Sequence, residues 1–163
     1  MLGQKRDFER ISLSGRDWLL LMLKLSNGSL SGLTRLQKIS FLIASRIPET
    51  RKMGFYDDWK AGRYGPFSKL LQETLEIARS DGLVKLEDKV VPPGYTLTEI
   101  SLSDKGHERA EELYRTLAQS KYGRRLLERM NEIISYYKDS ALIELIHDVY
   151  YEYPEYAEKS EIK

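Results

Sequence analysis

The sequence predicts a mainly helical fold carrying one small two-stranded β-hairpin. Three observations lead there. Apolar residues recur at helical spacing in six separate stretches. A Pro92-Pro93-Gly94 turn separates two short strand-like runs. The phrases Ser12-Leu13-Ser14-Gly15, Ser29-Leu30-Ser31-Gly32 and Ser101-Leu102-Ser103-Asp104 each place a second serine where a helix start needs a side-chain acceptor.

Taken in order, the first helix is expected over residues 16–26. Trp18 to Leu23 is apolar all round, as suits a helix enclosed in a core, and Asn27-Gly28 ends it. The second is expected over 33–47, with Leu36, Ile39, Ser40, Ile43 and Ile47 on one face, Arg35 and Lys38 pointing elsewhere, and Pro48 as the stop. Residues 49–65 read as a loop with an extended piece around 55–60. A third helix follows Tyr64-Gly65-Pro66, with Phe67, Leu70, Leu71, Leu75 and Ala78 on its inner face and Gly82 as its left-handed cap. Strands are expected at 83–87 and 95–100. Three more helices follow: one from Ser103 to about 119, one over 124–137, one over 141–151. The chain from Pro154 reads as frayed.

Composition bounds the function. At 163 residues, 41% hydrophobic and 31% charged, the chain suits one folded domain plus a small appended element, divided here as 1–119 (core 16–119) and 120–163. The net charge of +1 excludes a uniformly basic nucleic-acid coat, so charge-driven function needs local segregation. The lack of cysteine removes disulfides, thiolate zinc sites, iron–sulfur clusters and cysteine nucleophiles. The longest apolar run, Trp18 to Leu23, is too short to cross a membrane, and Asp7, Glu9 and Asp17 precede it, so no signal peptide and a cytoplasmic location are expected. Two Asn and four Gln beside abundant Glu, Lys and Arg hint at a thermophile.

The order helix, helix, helix, hairpin, helix is that of a winged helix-turn-helix with additional C-terminal helices. Asp81-Gly82-Leu83-Val84, Tyr95-Thr96-Leu97-Thr98 and Leu102-Ser103-Asp104-Lys105-Gly106 resemble the end of the recognition helix, wing and following helix of MarR- and PadR-type regulators. A narrower resemblance lies in Leu36-Gln37-Lys38-Ile39-Ser40-Phe41-Leu42-Ile43 and Tyr64-Gly65-Pro66-Phe67-Ser68. These strings are similar to the pattern of the YwgA-like proteins and Panacea-domain antitoxins. The first resemblance implies DNA binding; the second implies a module that binds a protein toxin.

Charge supports the first in part. Residues 35–69 hold eight basic residues (Arg35, Lys38, Arg46, Arg51, Lys52, Lys60, Arg63, Lys69) against Glu49, Asp57 and Asp58, a local +5. Residues 139–163 hold seven acids against two lysines, a local −5. The third helix itself, with Lys69 and Arg79 against Glu73, Glu76 and Asp81, is net −1, which leaves its first turn as the part suited to phosphate or base edges. The predicted DNA contacts are therefore Arg35, Lys38, Lys60, Arg63, Ser68, Lys69 and Gln72, with Lys85 and Lys89 on the wing. Tyr56, Trp59 and Tyr64 interleave with these cations, and either stack on bases or close a small core.

No enzyme is expected. Glu144 and His147 share a helical face, but only His107 exists elsewhere to complete a metal site, and no phosphate loop, dinucleotide fingerprint or nucleophile elbow is present. Neither cofactor nor metal is implied. Six of eleven tyrosines fall in the last 28 residues, which suits either a homodimer contact or packing of the last helices onto the rest. The leading expectation is a homodimeric transcriptional regulator on double-stranded DNA. The alternative is a non-catalytic protein-interaction or antitoxin-like module that uses the winged helix as scaffold.

Overall fold

The computed structural model describes residues 11–161. Asp7 and Glu9, cited above against a signal peptide, lie outside the described residues, as do all of 1–10 and the last two residues of the 120–163 segment. The described chain is mostly helical, with a three-stranded antiparallel sheet and a separate short hairpin.

Helix α1 (Gly15–Leu25) starts where Ser14 accepts a hydrogen bond from the Asp17 N–H. Its stretch Trp18 to Leu23 is buried on every side because the helices over Lys69–Ser80, Asp104–Ala118 and Lys121–Tyr137 surround it, and the Trp18 indole donates to the Met53 carbonyl at 2.9 Å. Each such side chain contributes roughly 1.5–3 kcal/mol by leaving water. Asn27 (φ 59°) and Gly28 (φ 95°) then turn the chain into strand β1 (Ser29–Ser31). This strand was not expected. Leu30 lies opposite Ile100 in the sheet, so Ser31 caps nothing, and the helix α2 (Leu33–Arg46) starts from Gly32 without a side-chain cap.

After α2 a 3₁₀ turn (Pro48–Met53) replaces the expected loop. The extended piece expected near 55–60 lies later, as strand β2 (Lys60–Gly62) paired with β3 (Gly65–Phe67). Helix α3 (Lys69–Ser80) follows, and Gly82 (φ 74°) leaves it in the left-handed conformation expected. Its inner face differs from the prediction. Leu71, Thr74, Leu75 and Ala78 are buried, whereas Phe67 belongs to β3 and Leu70 is exposed. The face is set by α1: a Cβ on Gly15 would lie 3.2 Å from Thr74 Oγ1, so α1 approaches along the Thr74 side.

Strands β4 (Val84–Val91) and β5 (Tyr95–Leu102) pair from Val84–Leu102 to Val91–Tyr95, giving a sheet in the order β1-β5-β4. Both strands run longer than predicted, and their distal half projects outward with Val90 and Tyr95 exposed. Helices α4 (Asp104–Ala118), α5 (Lys121–Tyr137) and α6 (Leu142–Glu152) complete the chain, the first two capped by Ser103 and Ser120. Leu126, Met130, Ile134, Leu145 and Val149 share one core with α1 and α2, so the apolar interior runs through both segments that the sequence divides at 119/120.

The described residues from Pro154 to Glu161 are not frayed. A 3₁₀ turn (Pro154–Ala157) brings Tyr153 and Tyr156 edge-on to Phe41, with ring centroids 5.0 and 4.8 Å away, and Trp59 meets the same ring at 5.4 Å. The Glu161 N–H donates to the Arg63 carbonyl at 2.8 Å. Of the six C-terminal tyrosines, Tyr137 is buried and Tyr136 and Tyr151 are exposed. No helix among the described residues is long and apolar enough to cross a membrane.

Candidate binding groove

The strings Leu36-Gln37-Lys38 and Tyr64-Gly65-Pro66-Phe67-Ser68 meet in space. Gln37, buried on α2, donates through its amide to the Ser68 carbonyl at 2.9 Å and accepts from the Ser68 N–H at 2.8 Å, satisfying both backbone groups of that residue. Lys38, only 2% exposed, donates to the Pro66 carbonyl at 2.8 Å. Gly65 (φ 102°) lets the hairpin come this close: a Cβ there would lie 3.0 Å from the Tyr150 ring and 3.3 Å from Lys38 Cε.

The junction also determines how α3 begins. Ser68 accepts from the Leu71 N–H at 3.0 Å and donates to the Asp58 carboxylate, which in turn accepts from the Leu70 N–H at 2.9 Å. The positive end of α3 thus already holds a carboxylate and a serine oxygen. That first turn was the part of the helix expected to meet phosphate. Asp58, a residue ten positions before Ser68 with no local motif to mark it, takes the Leu70 N–H and the Ser68 hydroxyl, and Ser68 takes the Leu71 N–H.

Beside this junction lies a groove of about 470 Å³ between α2, the β2–β3 hairpin, α3 and β4. Leu36, Leu71, Leu75 and Leu86 line its interior, and Leu33, Tyr64 and Phe67 stand exposed at its rim. Lys38 lines it too. Burial without water lowers the Lys38 ammonium from its ordinary 10.5 to about 8. Among the described residues no carboxylate lies within ion-pair distance of it.

The nine predicted contact residues separate into three groups. Lys38 and Ser68 are buried, and Arg35 donates to the carbonyls of Ser31, Tyr137 and Ser140, the last two at 2.8 and 2.7 Å, where it closes the C-terminal end of α5. The polar atoms of all three are engaged in holding the fold together. Lys60, Arg63 and Gln72 join Lys38 around the groove, with Arg63 reaching Glu161 at 3.6 Å. Lys69, Lys85 and Lys89 lie outside it. Lys69 is 3.9 Å from Glu73, and Lys89 is bonded at 3.1 Å to Glu99, which raises its pKa; Lys85 is exposed.

Charge along α3 is cancelled locally. Besides the Lys69–Glu73 pair, Arg79 lies 3.5 Å from Glu76, and Asp81 just beyond the helix pairs with Arg16 at 2.9 Å. Tyr56 and Trp59 close a core: Tyr56 is fully buried with its hydroxyl on the Gly15 carbonyl, and Trp59 packs on Phe41. Tyr64 alone of the three stays exposed. His107 and His147 are both exposed, and among the described residues no three His, Asp or Glu side chains gather as metal ligands.

The groove residues Leu33, Leu36, Leu75 and Leu86 carried no sequence signal, because leucine at helical or strand spacing reads as core. No known family model matches this chain, and no curated protein matches it.

Proposed function

We propose that this chain is a non-catalytic protein-interaction module on a winged-helix scaffold, and that the groove between α2, the β2–β3 hairpin, α3 and β4 receives an apolar segment of a partner protein. The observation that carries this reading is the apolar groove with Leu33, Tyr64 and Phe67 exposed on its rim. Exposed aromatics around a preformed concavity are the composition of a binding hot spot. The order α1, β1, α2, α3, β4, β5 and the sheet order β1-β5-β4 support the winged-helix scaffold.

A second reading, duplex DNA, is favoured by one feature, the β4–β5 hairpin with exposed Lys85 and Lys89, in a chain that also exposes Lys60, Arg63 and Lys69. Under it, Tyr136 and Tyr151 are the exposed tyrosines left for a homodimer contact. The pairing of the α3 cations and the occupied start of that helix weigh against it.

Two measurements separate the readings. The first is recovery of a stoichiometric protein partner from the source cell by wild type and by Tyr64→Glu/Phe67→Glu, with loss expected in the variant. The second is binding to mixed duplex fragments at several salt concentrations by wild type and by Arg63→Glu/Lys69→Glu. Salt-dependent binding whose slope flattens in the charge-reversed variant, with no partner recovered, would put DNA first.

A further inference from the structure

We propose that the occupant of the groove is the tip of the β4–β5 hairpin of a second copy of this chain, exchanged reciprocally across a twofold axis. This names the partner in the protein-interaction reading and rests on it. The chain carries both halves of such a contact. The groove is a concavity lined by Leu36, Leu71, Leu75 and Leu86, with Leu33, Tyr64 and Phe67 exposed at its rim. The hairpin tip is the matching protrusion: Val90 is 77% and Tyr95 68% exposed, and Pro92 and Pro93 between them are exposed as well. Apolar surface held out on two paired strands gains nothing within its own chain, and such surface marks a contact. The strands are paired as far as Val91–Tyr95, so the tip is already ordered before it binds.

Strand alternation decides whether a twofold axis serves both contacts at once. Leu86, Asp88 and Val90 fall on one face of β4, the face that lines the groove at Leu86. Leu86 and Val90 are four positions apart, about 13 Å along the strand. The groove and the tip of one chain therefore open toward the same side, as a self-complementary contact needs. Charge agrees. Lys38 is sealed on the Pro66 carbonyl, and the other charged residues of the lining are Lys60, Arg63 and Glu76. Arg63 is paired with Glu161 and Glu76 with Arg79; on the hairpin Lys89 is paired with Glu99. Among the described residues this leaves Lys60 on the groove, and Glu87 and Asp88 on the hairpin, outside any ion pair. Asp88 shares the Val90 face, so a tip seated in the groove brings an acid toward the unpaired lysine. Thr34 and Gln72, also on the lining, suit the backbone carbonyls of a turn.

The test is light scattering on the full chain from about 1 μM to 1 mM, where a species of twice the chain mass is expected. Val90→Ser/Tyr95→Ser and Tyr64→Glu/Phe67→Glu are each expected to raise the dimer Kd at least about tenfold. Tyr136→Ser/Tyr151→Ser, at exposed tyrosines outside both surfaces, is expected to leave it unchanged. A charge swap reads the contact itself. Lys60→Glu and Asp88→Lys each set like charges together in the variant's own dimer and weaken it. An equimolar mixture of the two restores opposite charges at both junctions and is expected to dimerise as wild type does. Lys60, Asp88, Val90 and Tyr95 are exposed, so these variants are expected to keep the wild-type monomer fold, checked by circular dichroism. A chain that stays monomeric while a different protein is recovered through Tyr64 and Phe67 overturns the exchange and leaves the groove reading standing. A monomer with no protein partner overturns both. A dimer unmoved by the hairpin variant, or a charge-swapped mixture that stays monomeric, also overturns the exchange.

Discussion

Lys38→Met exchanges a buried ammonium for an apolar chain of similar length, and its consequence depends on pH in a calculable way. The folded state holds the Lys38 pKa at about 8 against an ordinary 10.5. At neutral pH the lysine must be carried charged into a site that disfavours charge, at a cost of about 3 kcal/mol. The unfolded chain binds the extra proton between the two values, so wild-type stability recovers as pH rises from 8 to 10.5. The variant has no such group. The stability of Lys38→Met minus that of wild type is therefore expected to fall by about 2–3 kcal/mol between pH 7 and pH 10. The lost bond to Pro66, about 1 kcal/mol, offsets the whole curve and leaves its slope unchanged. Guanidinium unfolding of both proteins across that range measures the difference, in which the titration of every other group largely cancels. A difference that stays flat from pH 7 to 10 would show that Lys38 meets a counter-charge or water, and would refute the argument.

Gln37→Leu removes two hydrogen bonds and strands the Ser68 N–H, while the Ser68 carbonyl keeps the Gln72 N–H, so a loss of about 1–3 kcal/mol is expected by chemical denaturation, together with faster amide exchange at Leu70 and Leu71. Arg35→Ala frees the Ser140 carbonyl and leaves the Tyr137 carbonyl to the Ser140 hydroxyl and N–H, and is expected to cost about 1–2 kcal/mol, read from the denaturation midpoint, with no change in any salt-dependent binding. Tyr156→Ala uncovers the Phe41 ring and is expected to cost about 1–3 kcal/mol, whereas Tyr151→Ala on the exposed side of α6 is expected to change the midpoint by less than about 0.5 kcal/mol.

Much of the secondary structure is legible in the residues. Ser14 and Ser103 cap as their spacing predicts, because a cap is a bond between residues three apart. Ser31 has the same flanking words and caps nothing, since its backbone is drawn into the sheet by Glu99, 68 positions away. The tyrosine-rich end shows the same division. Its composition announces rings that need a surface, but only the packed chain gives Tyr153 and Tyr156 to Phe41 and leaves Tyr136 and Tyr151 outside.

What the sequence alone determined is what depends on near neighbours: the six helices, their ends at Asn27-Gly28 and Gly82, the β4–β5 hairpin, and the net charge of α3. What only the tertiary structure decided is the fate of individual polar side chains. Lys38 and Lys60 are equivalent as text, yet one is sealed under the hairpin and the other is exposed at its edge. Arg35 reads as a free cation until the end of α5 arrives to bond it. The reason is physical: helix and turn propensities are set within about one turn of chain, whereas burial and hydrogen-bond partnership are set by whichever distant element packs overhead.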